Sequence, residues 1–121
     1  WYAMALVDVL DYFPQNHPRR GELVAIFQRL MPAVVKYQDP KEGGWYQVTN
    51  RGGQKGNYQE ASATGMFVYA LAKGVRLGYL NPALLDAAKK GYAGMLKNFI
   101  STDANGQIHL EKTVSVSGLG G

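Results

Sequence analysis

Hydrophobic positions recur with helical spacing in four stretches of the chain, and the stretches are of two kinds. From about Trp1 to Phe13, residues Met4, Leu6, Val7, Val9, Leu10 and Tyr12 leave Asp8 and Asp11 as the only charges, which predicts an inner helix buried on all sides. From about Arg19 to Gln38, residues Leu23, Ile26, Phe27, Leu30, Met31, Val34 and Val35 recur opposite Glu22, Arg29 and Lys36. That is an amphipathic, outer helix. Pro18 suits its first turn, and Pro32 inside the pattern should kink or divide it.

The third stretch predicts a helix from Asn57, whose side chain caps it while Glu60 returns the bond three residues later. Between Ala61 and Ala72 it carries no charge and is rich in small residues, so it reads as a second inner helix ending near Gly78. The fourth opens on Asn81 and Pro82, a cap followed by proline at the first helical position. Its stripe of Leu84, Leu85, Ala88, Tyr92, Met95, Leu96 and Phe99 makes it a second outer helix.

The order is therefore inner, outer, inner, outer. After each outer helix comes the same punctuation: Asp39 through Gly43 and Gly44 into Trp45-Tyr46-Gln47-Val48, and Asp103 through Gly106 into Gln107-Ile108-His109-Leu110. The two aspartates lie 64 residues apart. The fold class expected is all-α, with one helical hairpin over 1–38 and another over 57–100, joined by turns and short extended segments. Two such hairpins leave inner helices uncovered, so further hairpins are expected on the flanks of this partial domain, which spans 1–121. The start at Trp1 and the end at Gly118-Leu119-Gly120-Gly121 fit a piece of a longer protein.

Composition narrows the function classes. The net charge of +4 is spread over several segments, so a nucleic-acid footprint is not expected. The longest apolar stretch, Trp1 to Leu10, is far below the roughly 20 residues of a membrane span. With no cysteine there is no disulfide framework or thiolate chemistry. The compartment stays open, with cytoplasm preferred to periplasm. His17 and His109 have no partners at metal-ligand spacing, and neither Gly52-Gly53 nor the terminal glycines match a phosphate loop. Ser115 and Ser117 lack a base nearby in sequence and read as ordinary loop residues.

In a toroid of hairpins, ligands meet the N-terminal ends of the inner helices and the loops before them. The candidates there are Trp1, Tyr2, Trp45, Tyr46, Asn57, Tyr58 and Glu60, aromatic faces and polar groups suited to a sugar. Glu60 reads first as a capping partner and second as an acid. Trp45 and Tyr46 either face the sugar or pack the loop. Asp8 and Asp11 share a helical turn, but no pair of facing carboxylates of the glycosidase kind can be assigned.

Several ordered segments then resemble glycoside hydrolase family 105, the unsaturated rhamnogalacturonyl hydrolases, relatives of the unsaturated glucuronyl hydrolases. They are Trp1-Tyr2-Ala3-Met4-Ala5-Leu6-Val7-Asp8-Val9-Leu10; Lys36-Tyr37-Gln38-Asp39 with Gly44-Trp45-Tyr46-Gln47-Val48; Asn57-Tyr58 with Glu60-Ala61-Ser62; and Tyr69-Ala70-Leu71-Ala72-Lys73-Gly74. The resemblance implies an (α/α)6 barrel of six hairpins, of which this chain supplies two from the later half. It implies removal of the Δ4,5-unsaturated uronic acid that lyases leave on pectin (rhamnogalacturonan) oligosaccharides. An Asp acts as general acid/base on the double bond, with no metal or cofactor.

The family's Trp-(Leu/Ile)-Asp-Gly-Leu-Tyr-Met-like segment, which holds that Asp, does not occur in this sequence, so no catalytic residue is assigned. Nor does the Trp and Arg of its Phe-Trp-Gly-Arg stretch, expected immediately before Trp1. Trp1 matches the closing tryptophan of that motif, and Trp1, Trp45 and Tyr58 form the expected substrate-binding set. The expected partner is an unsaturated oligosaccharide. An alternative from another class is a non-catalytic hairpin module that binds glycan or protein and self-associates through its exposed inner helices.

Overall fold

The computed structural model describes residues 1–116. The terminal glycine-rich stretch Gly118–Gly121, together with Ser117, lies outside the described residues. Four helices, α1 (Tyr2–Tyr12), α2 (Arg20–Val35), α3 (Ala61–Arg76) and α4 (Leu85–Asn98), are followed by a two-stranded hairpin, β1 (Ile100–Thr102) and β2 (Ile108–Leu110). The inner helix α1 packs against α2 on one side and α3 on the other, and α3 packs against α4. One continuous core joins all four, built on Leu6 and Val7 of α1, Phe27 and Met31 of α2, Ala70 and Leu71 of α3, Ala88 of α4, and Trp45 from the loop between hairpins.

The burial of α1 departs from expectation. Ala3, Leu6, Val7 and Leu10 are buried, but Tyr2, Val9 and Tyr12 on the other face stay open, Tyr12 to 88%. With α2 and α3 as its neighbours, the helix has two covered sides, and its third side meets no element among the described residues.

Helix α2 begins one residue later than the pattern indicates and is not divided at Pro32. The proline stands in the last turn, and the helix stops at Val35, short of Gln38. Tyr37 and Gln38 then donate to the carbonyls of Val34 and Val35, three residues back, the tighter spacing typical of a helix end. Gln38 continues the job of binding elements together: its Nε2 donates to the Gly43 carbonyl at 2.8 Å and the Ala87 carbonyl at 2.9 Å, tying the end of α2 to the loop and to α4.

The start of α3 also moves. Asn57 does not cap it. The Asn57 amide instead closes the preceding turn by bonding the Val48 N–H, the Val48 carbonyl and the Arg51 carbonyl. Glu60 is itself the N-cap, its carboxylate accepting from the N–H groups of Ser62 and Ala63. The other end follows the pattern, with Gly78 at φ +74° just beyond the last turn. Asn81 caps a single 3-10 turn (Pro82–Leu84) that leads into α4.

The two extended returns are unequal. After α4, β1 and β2 pair antiparallel with Ser101 opposite His109. After α2 there is one bridge, Tyr46 to Gln59, and no strand. That loop instead lies on α4, where a side chain at Gly94 would collide with the Glu42 carbonyl. Among the described residues no helix is long and apolar enough to cross a membrane.

Candidate functional site

The relative direction of the inner helices follows from their polar contacts. Lys73 of α3 is buried between the helices, and its ammonium donates to Asp8 at 2.7 Å and to Asp11, while the Tyr69 hydroxyl donates to Asp8 at 2.7 Å. The contacts advance together, Tyr69 with Asp8 and Lys73 with Asp11, so α1 and α3 run parallel. Their N-termini therefore share one end, the end expected to face a ligand.

The cluster sits away from that end and is a clamp. Hydrogen bonds to Asp11 and then Asp8 hold the Lys73 ammonium above the ordinary lysine range, so it stays protonated and is neither base nor nucleophile. The hydrogen bond from Lys73, followed by that from Tyr69, holds Asp8 below the usual carboxylate range. The lysine side chain is 9% exposed and the two carboxylates 40% and 42%, so solvent screens the pair on one side. Lys73→Met should cost about 2 kcal/mol in urea unfolding, below the 3–5 of a fully buried pair. Lys73→Arg should recover part of that. Because Asp8 has the depressed folded pKa, its share is present above the unfolded value near 3.9 and fades as pH falls through the folded one.

At the shared N-terminal end the expected residues separate. Trp1 stands at the head of α1 with 80% of its surface open. Tyr58 is also exposed, at 36%, and its carbonyl accepts from the Gln47 N–H. Trp45 is corrected: it is 0% exposed, with its ring edge-to-face on Phe67 and its Nε1 donating to the Val34 carbonyl at 2.8 Å. The indole packs the loop onto the helices and offers no face to a sugar. Tyr46 is half-buried beside Tyr58 and shares with it a shallow cavity of about 490 Å3, also lined by Glu42, Gln59, Lys97, Asn98 and Lys112.

Glu60 is 2% exposed at this same end. Burial raises its carboxyl, but the N–H groups of Ala63 and Val114, the Ser62 hydroxyl and the Ser62 N–H outweigh that, so it lies below its ordinary range. A carboxylate held ionised this way cannot donate a proton at neutral pH. The Val114 contact also straps the segment after β2 across the start of α3, where Ala61 donates to the Lys112 carbonyl.

The histidines serve local structure: His17 Nδ1 accepts from the Arg19 N–H, and His109 faces Asp103 at 3.4 Å beside the hairpin turn. Among the described residues no group of three or more His, Cys, Asp and Glu side chains is placed to hold a metal. Lys73 and Lys112 did not stand out in the sequence. The signal for Lys73 was present, the first charge after an uncharged run of inner helix and one turn after Tyr69.

The family model described as Glycosyl Hydrolase Family 88 matches residues 1–121. The chain belongs to this family. It is 47% identical to a solved family 105 glycoside hydrolase of Clostridium acetobutylicum ATCC 824 (C. acetobutylicum), with a TM-score of 0.93, covering 100% of this chain and 34% of that one. A possible family 105 member from Salmonella enterica serovar Paratyphi A is 29% identical, with a TM-score of 0.82 over 99% of this chain and 30% of that one. Protein Atu3128 of Agrobacterium fabrum is 38% identical over 125 residues, which span 100% of this chain and 53% of that protein. The chain thus spans about half the length of the curated relatives it matches and about a third of these solved structures. The family and the all-α architecture agree with the sequence: α1 to α4 are two helical hairpins of an (α/α)6 barrel.

Proposed function

We propose that the chain is the later-half segment of a hydrolase that removes Δ4,5-unsaturated uronic acid from lyase-generated pectin (rhamnogalacturonan) oligosaccharides. The observation that carries the reading is the composition of the N-terminal rim in a chain of glycosyl hydrolase family 88: an open Trp1, an exposed Tyr58, two lysines, and a carboxylate locked as an anion. Such a rim binds and orients an acidic sugar and supplies no proton. The general acid that protonates the vinyl-ether carbon, and the water that adds to it, belong in this scheme to an Asp contributed by the remaining barrel. Trp1 supplies a flat face beneath the unsaturated ring, and Tyr58 contacts the rim-side portion of the substrate.

The test is loss of ultraviolet absorbance when the full-length protein containing this chain is given an unsaturated galacturonyl-rhamnose disaccharide. Turnover is expected from the full-length protein and none from residues 1–121 alone, and Trp1→Ala should raise KM by about tenfold, the scale of one lost aromatic contact. Unchanged absorbance with the full-length protein overturns the reading. The open face of α1, with Tyr2, Val9 and Tyr12, favours a second reading as a self-associating, non-catalytic module. Light scattering that finds a monomer counts against it.

A further inference from the structure

The cavity of about 490 Å3 beside Tyr58 lies within the roughly 300–1,000 Å3 of ligand sites. Its lining carries more chemistry than the proposed reaction uses. Gln59 is nine-tenths buried, and its side-chain amide makes no hydrogen bond among the described residues while keeping access to the cavity it lines. An amide placed so bonds water in the free protein and can exchange that water for a ligand hydroxyl. The backbone on either side of it is already committed, to the Tyr46 bridge and to the Glu60 N–H bond with Trp45. The amide lies against Gly44, where any side chain would displace it, so the loop leaves it this position.

Charge at the same place is unbalanced toward the positive. Lys97 pairs with Glu42 at 3.1 Å, which leaves Lys112 as the uncompensated cation of the lining. Lys112 is held there by its main chain: it has φ 58°, uncommon for a residue with a side chain, and its carbonyl receives the Ala61 N–H at the start of α3. Its ammonium lies 5.8 Å from the centre of the Phe99 ring. Asn98 at the end of α4 and the Tyr58 ring complete the lining.

We infer that this cavity is a subsite for one carboxylate-bearing residue of an acidic oligosaccharide, outside the position where the unsaturated sugar reacts. Lys112, with Lys97, meets the carboxylate; Gln59 and Asn98 meet ring hydroxyls; Tyr58 covers an apolar face of the sugar. The inference deepens the proposed function by giving the rim a preference for longer, charged substrates.

The test is calorimetric titration of trigalacturonate into the full-length protein and its Lys97→Gln/Lys112→Gln double variant, with maltotriose as the neutral control. The double variant should keep the unfolding midpoint to within the range of surface changes and bind trigalacturonate about tenfold more weakly, as expected for lost charge-assisted contacts. Gln59→Leu is a second variant and should weaken binding without altering its salt dependence, which the double variant should reduce. Equal affinity in wild type and double variant, equal binding of maltotriose and trigalacturonate, or no binding of trigalacturonate by the wild type each overturns the subsite. If lysine-dependent binding is found but the disaccharide is not hydrolysed, the subsite stands and the proposed reaction falls; hydrolysis with lysine-independent binding gives the reverse.

Discussion

Trp45→Ala should destabilise the protein by about 4 kcal/mol, the largest loss expected from one side chain, read as a fall in urea midpoint. The indole is fully buried, stacks edge-on against Phe67, and fills the space between the 42–46 loop and the helices. Truncation removes that apolar surface and leaves a cavity the surrounding helices cannot close. Trp45→Phe separates packing from hydrogen bonding. It keeps most of the ring and forfeits the Nε1 bond to Val34, but that carbonyl also receives the Tyr37 N–H, so no orphan acceptor is left and the cost should be about 1 kcal/mol. In the full-length protein, activity per folded molecule should survive Trp45→Phe, because the ring touches no open surface. A selective rise in KM would return Trp45 to the sugar-facing set.

Glu60→Ala should cost about 3 kcal/mol. An ordinary N-cap is worth about 1 kcal/mol, but this carboxylate also receives the Ser62 hydroxyl and the Val114 N–H, and both lose a charged acceptor in a nearly water-free position. Glu60→Gln should cost about half as much, since the amide oxygen still caps while the charge is gone. Linkage sets the pH dependence. The folded pKa is below the unfolded value, so the contribution is complete above about pH 5 and fades as pH falls through the folded pKa. Wild type should lose stability over that acid window more steeply than Glu60→Ala. Parallel acid limbs for the two proteins would show that the carboxylate is not the stabilising species.

The helices and their order were legible because each inner helix carries few charges and each outer helix has a clear polar face. What eluded the sequence was any feature made by two distant segments. Glu60 at the right spacing from Asn57 suggested a reciprocal box, yet the local turn claimed Asn57 and left Glu60 to cap alone, with help from residues 112–114. Trp45 looked equally suited to a sugar or a core, and its fate depended on the approach of the loop to Gly94 of α4, which spacing along one segment does not encode. Asp8 and Asp11 showed only that they share a helical turn, for the same reason: their partner is more than 60 residues away. The uneven returns after α2 and α4 likewise show that similar turn signals lead to a strand pair only where a partner segment follows directly.

The strap at Glu60 has a consequence for how the chain is made. Val114 follows Glu60 by 54 positions, so at roughly 5–20 residues per second a ribosome delivers it about 3–11 s later. During that interval Glu60 can already close the first turn of α3 through Ser62 and Ala63, because those bonds are local. The Ala61 amide must wait for Lys112. The helix is thus able to form early, while its seam with the rest of the molecule is sealed only when the second hairpin and its strands have been synthesised.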